Sequence, residues 1–442
     1  MRRIRKRDIG AIGLLAAFAL TASAAPPARD AYAAPQGTCD GYPRLNIGMA
    51  KGFCAGLVLG PTAGDRTRKL LLPRSLAQLD ETTWLVTDLG GWGTKRGAVW
   101  KLRSRPGAPA ELTRLLGGLN LPHALAIGPD GLAYLGEMSK IFRFDPRAAD
   151  PAKTVETVIA DLPDNRLHEN RHPLSKFAFA ADGALLVNIG APSDQCLDAN
   201  GKPLGKACPQ SDTGERAAGI RRYALLAPGR WSGEYTVYAK GLRNSVALAV
   251  HPSGTVLQGE NSYDFAARWS PFDEINRIEA GKHYGWPYCA DAATPTPGWK
   301  SVRAMACGSS AHTAPALLLP PHAAPLDMLW YDGAMFPQLQ GKLLMTWHGY
   351  RSVGGRIAAF ATDAKGVPIA DKDARYPSYG GAPRAYGIGP AANAQILTPG
   401  WDRVAGKRPQ GSPVGLAVAK DGAIWTTDDR AGLVIRIAAD RP

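Results

Sequence analysis

The sequence is short of charge and short of helical signal. Only 20% of its 442 residues are charged, too few for a disordered chain or a coiled coil. No segment carries a convincing apolar stripe at the 3.6-residue period, which argues against helical repeats. No dense run of Lys and Arg is interleaved with aromatics, so nucleic acid is not an expected partner. Beyond the first 25 residues no apolar stretch is long enough to span a bilayer. There is no Cys-x-x-Cys-His for c-type haem attachment, and the cysteine spacing does not suit zinc.

What the chain has in abundance is 50 glycines and 36 prolines among 45% hydrophobic residues. That mixture, without a collagen-like period, describes many short strands joined by tight turns. The N-terminus reads as a signal peptide over residues 1–34. Arg2, Arg3, Arg5, Lys6 and Arg7 precede an apolar segment from Ile9 to Ala25, followed by cleavage signals at Ala22-Ser23-Ala24 and Ala31-Tyr32-Ala33. The expected product is soluble after signal cleavage and periplasmic or secreted. Six cysteines fall into three sequence-local couples, and in an exported chain they read as disulfides. Fifteen connectivities are open to six cysteines; local pairing of Cys39 with Cys54, Cys196 with Cys208 and Cys289 with Cys307 is the simplest.

After a stapled lead-in over residues 35–70, one unit recurs six times. It holds a short apolar strand, a turn that is often Asp-Gly, a second apolar strand, a polar or Gly-rich gap, and further strand. Leu121–Phe144 and Gly411–Ile437 are its clearest copies; others run from Leu72 to Leu102, Phe177 to Arg222, Asn244 to Ile278 and Leu326 to Phe360. Asp-Gly between apolar runs is a hairpin signal. A single blade cannot bury both of its own faces, so the repetition predicts an all-β chain, a six-bladed β-propeller of four-stranded antiparallel blades over residues 71–442. Two inserts, Pro192–Ala218 and Gly285–Pro321, carry the second and third cysteine couples. Long loops on a rigid all-β scaffold are where a pocket is expected.

Three stretches stand above the repeat: HENRHPLSKFAFAADG from His168, GLRNSVALAVHPSG through GENS to DEINRIEAGKHYGWP from Gly241, and PHAAPLDM through GKLLMTWHGYR from Pro321. An imidazole can take a proton near neutral pH, which suits His172 or His168 to general base work. The ten-residue spacing from His172 to the turn at Asp182 favours His172. A guanidinium offers a planar, permanently charged fork for an oxyanion, which suits Arg243.

With these residues in place, the chain resembles the soluble quinoprotein glucose, aldose sugar and sorbosone dehydrogenases. The resemblance rests on Gly241-Leu-Arg243-Asn244, the Asp273–Pro287 run, His172 before Asp182, and the His322-Ala-Ala-Pro…His348-Gly block. It covers roughly Leu72 to Ile437. It implies oxidation of an aldose sugar or sugar aldehyde by pyrroloquinoline quinone (PQQ), with hydride passing to the quinone and electrons leaving to an acceptor such as a cytochrome or membrane quinone. His172 would be the base and Arg243 the charge stabiliser. Arg243, Asn244, His123, His348 and Arg351 would contact the cofactor, while His322 reads as a turn residue. Calcium would be held by main-chain carbonyls of Gly259-Glu260-Asn261-Ser262, at Glu260 and Asn261, with Glu274 and Tyr284 at a second, structural calcium. Three departures stand out. Ser412 and Val414 occupy the place of two family arginines, with Arg403, Lys407 and Arg408 just upstream. The gap between Glu260 and Asp273 is longer, and Leu119–His123 lacks the family's early glutamine. Two other classes fit a propeller: a calcium-dependent lactonase-type hydrolase and a non-catalytic binding propeller.

Overall fold

The computed structural model describes residues 32–33, 35–62, 69–163, 172–212, 217–264, 270–300, 305–349, 354–371, 375–378, 381–385, 394–402 and 411–441. Most of the expected signal peptide, together with His168, Arg351, Arg403, Lys407 and Arg408, lies outside the described residues.

Six sheets form the six blades of a β-propeller, as the repeat predicts. The innermost strands are Pro73–Gln78, Leu125–Ile127, Phe177–Phe179, Ala247–Val250, Pro325–Trp330 and Pro413–Val418. Each pairs antiparallel with the next strand of its own blade. The second strands are among the most apolar segments of the chain: Thr83–Asp88, Leu185–Ile189, Val256–Glu260, Leu343–Trp347 and Ile424–Asp428 are buried throughout. Burial on both faces explains why they read as continuous apolar runs rather than alternating ones. One blade departs from four strands, because Lys282–His283 adds a fifth, parallel to the end of Arg230–Lys240.

The ring closes with strands from opposite ends of the chain. Phe53–Leu59 pairs antiparallel with Leu433–Ala439 and completes the last blade. A boundary between lead-in and propeller at residue 70 therefore falls after the first strand of the propeller itself. Nothing local in residues 35–70 marks that partnership, since the pairing spans nearly the whole sequence. Cys39–Cys54 ties this strand to the hairpin Thr38–Pro43, and the other two disulfides join Cys196 to Cys208 and Cys289 to Cys307.

Two side-chain devices repeat from blade to blade. A hydroxyl near the end of a second strand stitches one blade to the next: Thr87 donates to the His123 carbonyl, Thr346 to that of Val414, and Thr427 to that of Arg74. An acid at the end of the second strand clamps the loop that enters its own blade. Asp88 accepts the amides of Leu71 and Leu72, Glu137 that of Asn120, Glu260 those of Arg243 and Asn244, and Asp428 that of Ser412. Each of these loop amides thus finds a carboxyl acceptor at the end of its own blade's second strand.

Candidate active site

At the end of the ring where these clamped loops enter, six apolar side chains converge. Leu72, Leu121, Leu174, Val246, Leu326 and Val414, one from the entrance of each blade, pack into one cluster with Leu89 and Met138. Val414 is fully buried here. Where the family pattern has an arginine, this chain completes an apolar ring.

Above the ring lies a cavity of about 370 Å³, floored by Leu72, Leu174, Val246 and Leu326 and walled by polar groups. His172, Asn244, Asn261 and His348, all expected site residues, line it together. Arg74, Ser412, Asp429 and Arg430 also line it, and the sequence did not single out Arg74 or Asp429. Arg74 sits in Pro73–Gln78, a strand that otherwise looks like ordinary blade sequence.

The charges are arranged around Asp429. Arg74 reaches it at 2.5 Å and His348 Nε2 lies 2.9 Å away, with the Arg74 and Asp429 side chains only 3% and 9% exposed. Burial pushes the Asp429 carboxyl up, but His348 and Arg74 outweigh it and hold the group below the usual carboxylate range. Arg74 also donates from Nε to His123 Nδ1 at 3.2 Å. His123 is therefore beneath the cavity rather than in its lining. Burial first, then the charges of Arg74 and Lys176, drive its pKa well below the ordinary histidine value. Nδ1 accepts from Arg74, which favours the neutral ring, and Nε2 is buried with no hydrogen-bond partner among the described residues.

His172 is buried, and its Nδ1 lies 2.6 Å from the carbonyl oxygen of Ala191. A carbonyl only accepts, so Nδ1 carries the proton and the lone pair of the neutral ring is on Nε2. The backbone of Gly190 packs hard against this histidine: a Cβ there would fall 2.3 Å from the His172 oxygen. Glycine at that position is what lets the loop hold the ring.

Arg243 does not line the cavity; its neighbour Asn244 does. The guanidinium is 4% exposed and held by Asp194, whose carboxylate accepts from Nε at 2.9 Å and from a terminal nitrogen at 2.5 Å. Its other terminal nitrogen donates to the Asn261 carbonyl at 2.9 Å. Asp194 belongs to the insert stapled by Cys196–Cys208, and Trp286 from the other side donates to its carbonyl. Two chain segments far apart in sequence thus meet at Arg243, a pairing that no local pattern announces.

The residues expected at calcium are engaged by protein groups. Both Glu260 oxygens accept backbone amides, and Gln258 donates to one of them. Burial raises its pKa to about 8, against the Asn244 amide and the Arg243 charge. Glu274 lies opposite Glu260 in the sheet register, accepts from Asn276, and is pushed well up by burial and then by Glu260. The Tyr284 hydroxyl donates to the Arg277 carbonyl and accepts the Glu279 amide, with no hydrogen bond to Glu274 among the described residues. Asn261 gives its carbonyl to Arg243 and its amide to Pro325. Among the described residues, no three His, Cys, Asp or Glu side chains gather to hold a metal ion. His322 lies at a tight turn with φ of 62°, consistent with a turn residue.

Comparison with known proteins settles the family. The family model described as glucose / sorbosone dehydrogenase matches residues 135–352. The chain belongs to the glucose/sorbosone dehydrogenase family. The match takes in His172, Arg243, Asn244 and His348, while Arg74, Ser412 and Asp429 lie outside it. An uncharacterized protein of Borreliella burgdorferi is 33% identical over 137 residues, 29% of this chain and 35% of that protein, so the chain spans about a third of that relative. Solved structures share the fold at low identity. A Trichoderma reesei protein of carbohydrate-active enzyme family AA12 has a TM-score of 0.65 at 19% identity, over 92% of this chain and 100% of its own. The PQQ domain of Coprinopsis cinerea pyranose dehydrogenase in its holo form has 0.63 at 19%, over 91% and 99%. The PQQ-bound aldose sugar dehydrogenase of Streptomyces coelicolor has 0.54 at 16%, over 89% and 100%.

Proposed function

We propose that this family member oxidises an aldose sugar or sugar aldehyde with bound PQQ, His172 taking the proton from the substrate hydroxyl. The observation that carries the reading is the His172 tautomer: the Ala191 carbonyl fixes the proton on Nδ1, leaving Nε2 as the base. The surroundings suit a flat aromatic acid. The apolar floor of Leu72, Leu174, Val246 and Leu326 can take a planar ring, while Arg74, His348, Asn244, Asn261 and Ser412 present donors around it. Arg74 supplies a fixed cation in place of the arginines that Ser412 and Val414 do not provide. Bound there, PQQ would supply the hydride acceptor that no side chain offers.

The protein's own part is to bind, orient and move a proton. Arg243 acts as a positioning residue, fixing Asn244 through the shared Glu260 clamp and Asn261 through its carbonyl. Among the described residues no three acidic, His or Cys side chains gather at the four residues expected at calcium, so a cation there would rest on main-chain carbonyls, and no step here runs through the metal. The electron acceptor that such a site would need is a cytochrome or membrane quinone. Export follows from the N-terminal pattern. Tyr32 is buried in the core and donates to Asp428 at 2.7 Å, which favours cleavage after Ala24 over cleavage after Ala33.

The test is titration of the mature protein with PQQ, followed by absorbance, and dye reduction across a panel of aldoses and sugar aldehydes. Stoichiometric binding and sugar-dependent turnover are expected. His172→Ala should cut kcat by about 10²–10⁴ while quinone affinity stays within about threefold. No binding at micromolar quinone, or full turnover in the variant, defeats the proposal.

A further inference from the structure

We infer that Trp92 is a stacking platform for the ring of a pyranose substrate at the mouth of the active-site cavity. This rests on the reading of that cavity as a sugar-oxidising site.

Trp92 is 59% exposed, although it lines the same cavity as His172 and His348. Other residues lining the cavity lie much deeper: as whole residues Arg74 is 2% exposed, His172 8%, Leu174 7% and Asp429 6%. Trp92 is therefore the outermost wall, above the charged and apolar groups that suit the cofactor. No other tryptophan is among the exposed large hydrophobic residues described. A single exposed indole is ordinary on a protein surface, but this one walls a concave site, where aromatic side chains beside a few polar groups are what a small-molecule pocket uses.

The loop that presents it is built to hold it there. Its sequence is Leu89-Gly-Gly-Trp-Gly-Thr-Lys-Arg-Gly97, between the second and third strands of the first blade. Gly90 and Gly91 take φ of 63° and 132°, and a Cβ on Gly90 would lie 2.1 Å from the Arg96 oxygen. The turn is pinned by Asp88, which accepts the Gly90 amide at 2.9 Å, and by Asn120, which accepts the Lys95 amide at 2.9 Å. The Arg96 side chain lies over Gly91 and Gly93, 3.2 Å from where their Cβ atoms would stand. The glycines thus bring the arginine against the loop and leave the indole as its one large apolar outward group.

An indole face carries negative potential, and one face of a pyranose ring presents a patch of C–H bonds, weakly positive at hydrogen. Stacking there places the sugar hydroxyls at the ring edge, where they can turn down toward His172. A three-carbon aldehyde lacks the ring and has little to stack. Trp92 therefore sets preference by ring size.

The experiment uses the PQQ-loaded enzyme, with glucose and glyceraldehyde as probes. The ratio of kcat/KM for glucose over glyceraldehyde should fall about tenfold in Trp92→Ala, mainly through KM, and recover to within about threefold in Trp92→Phe. In loaded enzyme without electron acceptor, glucose should protect Trp92 from oxidation by N-bromosuccinimide, read by peptide mass spectrometry. The PQQ dissociation constant of Trp92→Ala, from absorbance, should match that of the wild type. An unchanged ratio with no protection overturns the inference. So does weakened PQQ binding with an unchanged ratio, which would move Trp92 to the cofactor. A wild type that binds no PQQ and reduces no dye is a different failure, that of the dehydrogenase reading itself.

Discussion

Replacing Asp429 by Asn tests whether one carboxylate organises the cavity. The substitution keeps an acceptor for His348 Nε2 and removes the charge that faces Arg74. At 2.5 Å and an effective dielectric of about 20, the gross attraction between the two charges is roughly 7 kcal/mol. Desolvation offsets much of it, because both groups are buried. The observable cost of leaving a buried charge without its partner is about 3–5 kcal/mol. Unfolding entropy near 2.1 cal/mol/K per residue gives a propeller of this size about 0.8 kcal/mol/K, so Tm should fall by roughly 4–6 °C. Differential scanning calorimetry reads it. The second variant decides the cause: Arg74→Met in the Asp429→Asn background removes the stranded cation and should restore roughly 2 °C. A drop below 1 °C in the single variant, or a double variant no more stable than the single, refutes the argument.

Stability should also depend on pH in a direction set by the buried acids. Burial lifts Glu260 to about 8 and Asp273 to about 7. A raised carboxyl pKa means the folded state holds its proton where the unfolded state has lost it, so this stability is complete below the unfolded carboxylate range and fades as pH rises toward 8. Asp429, held low, has the opposite sign and matters only in acid. Melts at pH 5 and 8.5 should show a fall of several degrees, smaller in Glu260→Gln; a flat profile, or an equal fall in the variant, disproves the assignment. Replacing Cys196 and Cys208 together by Ser opens a link across 12 residues, worth about 3 kcal/mol at most. It should weaken quinone binding as well as lower Tm, since the insert carries the Asp194 that holds Arg243. Unchanged quinone affinity in a folded double variant would separate the insert from the site.

The propeller was legible because its signals are local. Asp182-Gly183 and Asp421-Gly422 mark turns between inner strands, and apolar runs such as Leu343–Trp347 mark strands buried on both faces. His172, Asn244, Asn261 and His348 were legible through short motifs, and the cavity brings them together. What escaped the sequence depends on pairings across long separations. Arg74 looks like one basic residue in a strand until Asp429 arrives from the last blade. Arg243 reads as a free guanidinium until the insert delivers Asp194. Glu260 reads as a cation ligand when taken alone. Beside Asp88, Glu137 and Asp428 it is one instance of a clamp that the fold uses repeatedly, and that equivalence is visible only in register.

The strand that closes the ring has a consequence for how this protein is made. Phe53–Leu59 is synthesised long before its partner Leu433–Ala439. While translation proceeds, the early strand has no edge to join, and the unfinished ring has two open ends. Pairings of such long sequence separation form slowly because the closure entropy must be met first. The ring cannot close until Leu433–Ala439 has been made. Until then the Cys39–Cys54 disulfide can hold the waiting strand against its own hairpin, so that it is already shaped when its partner arrives.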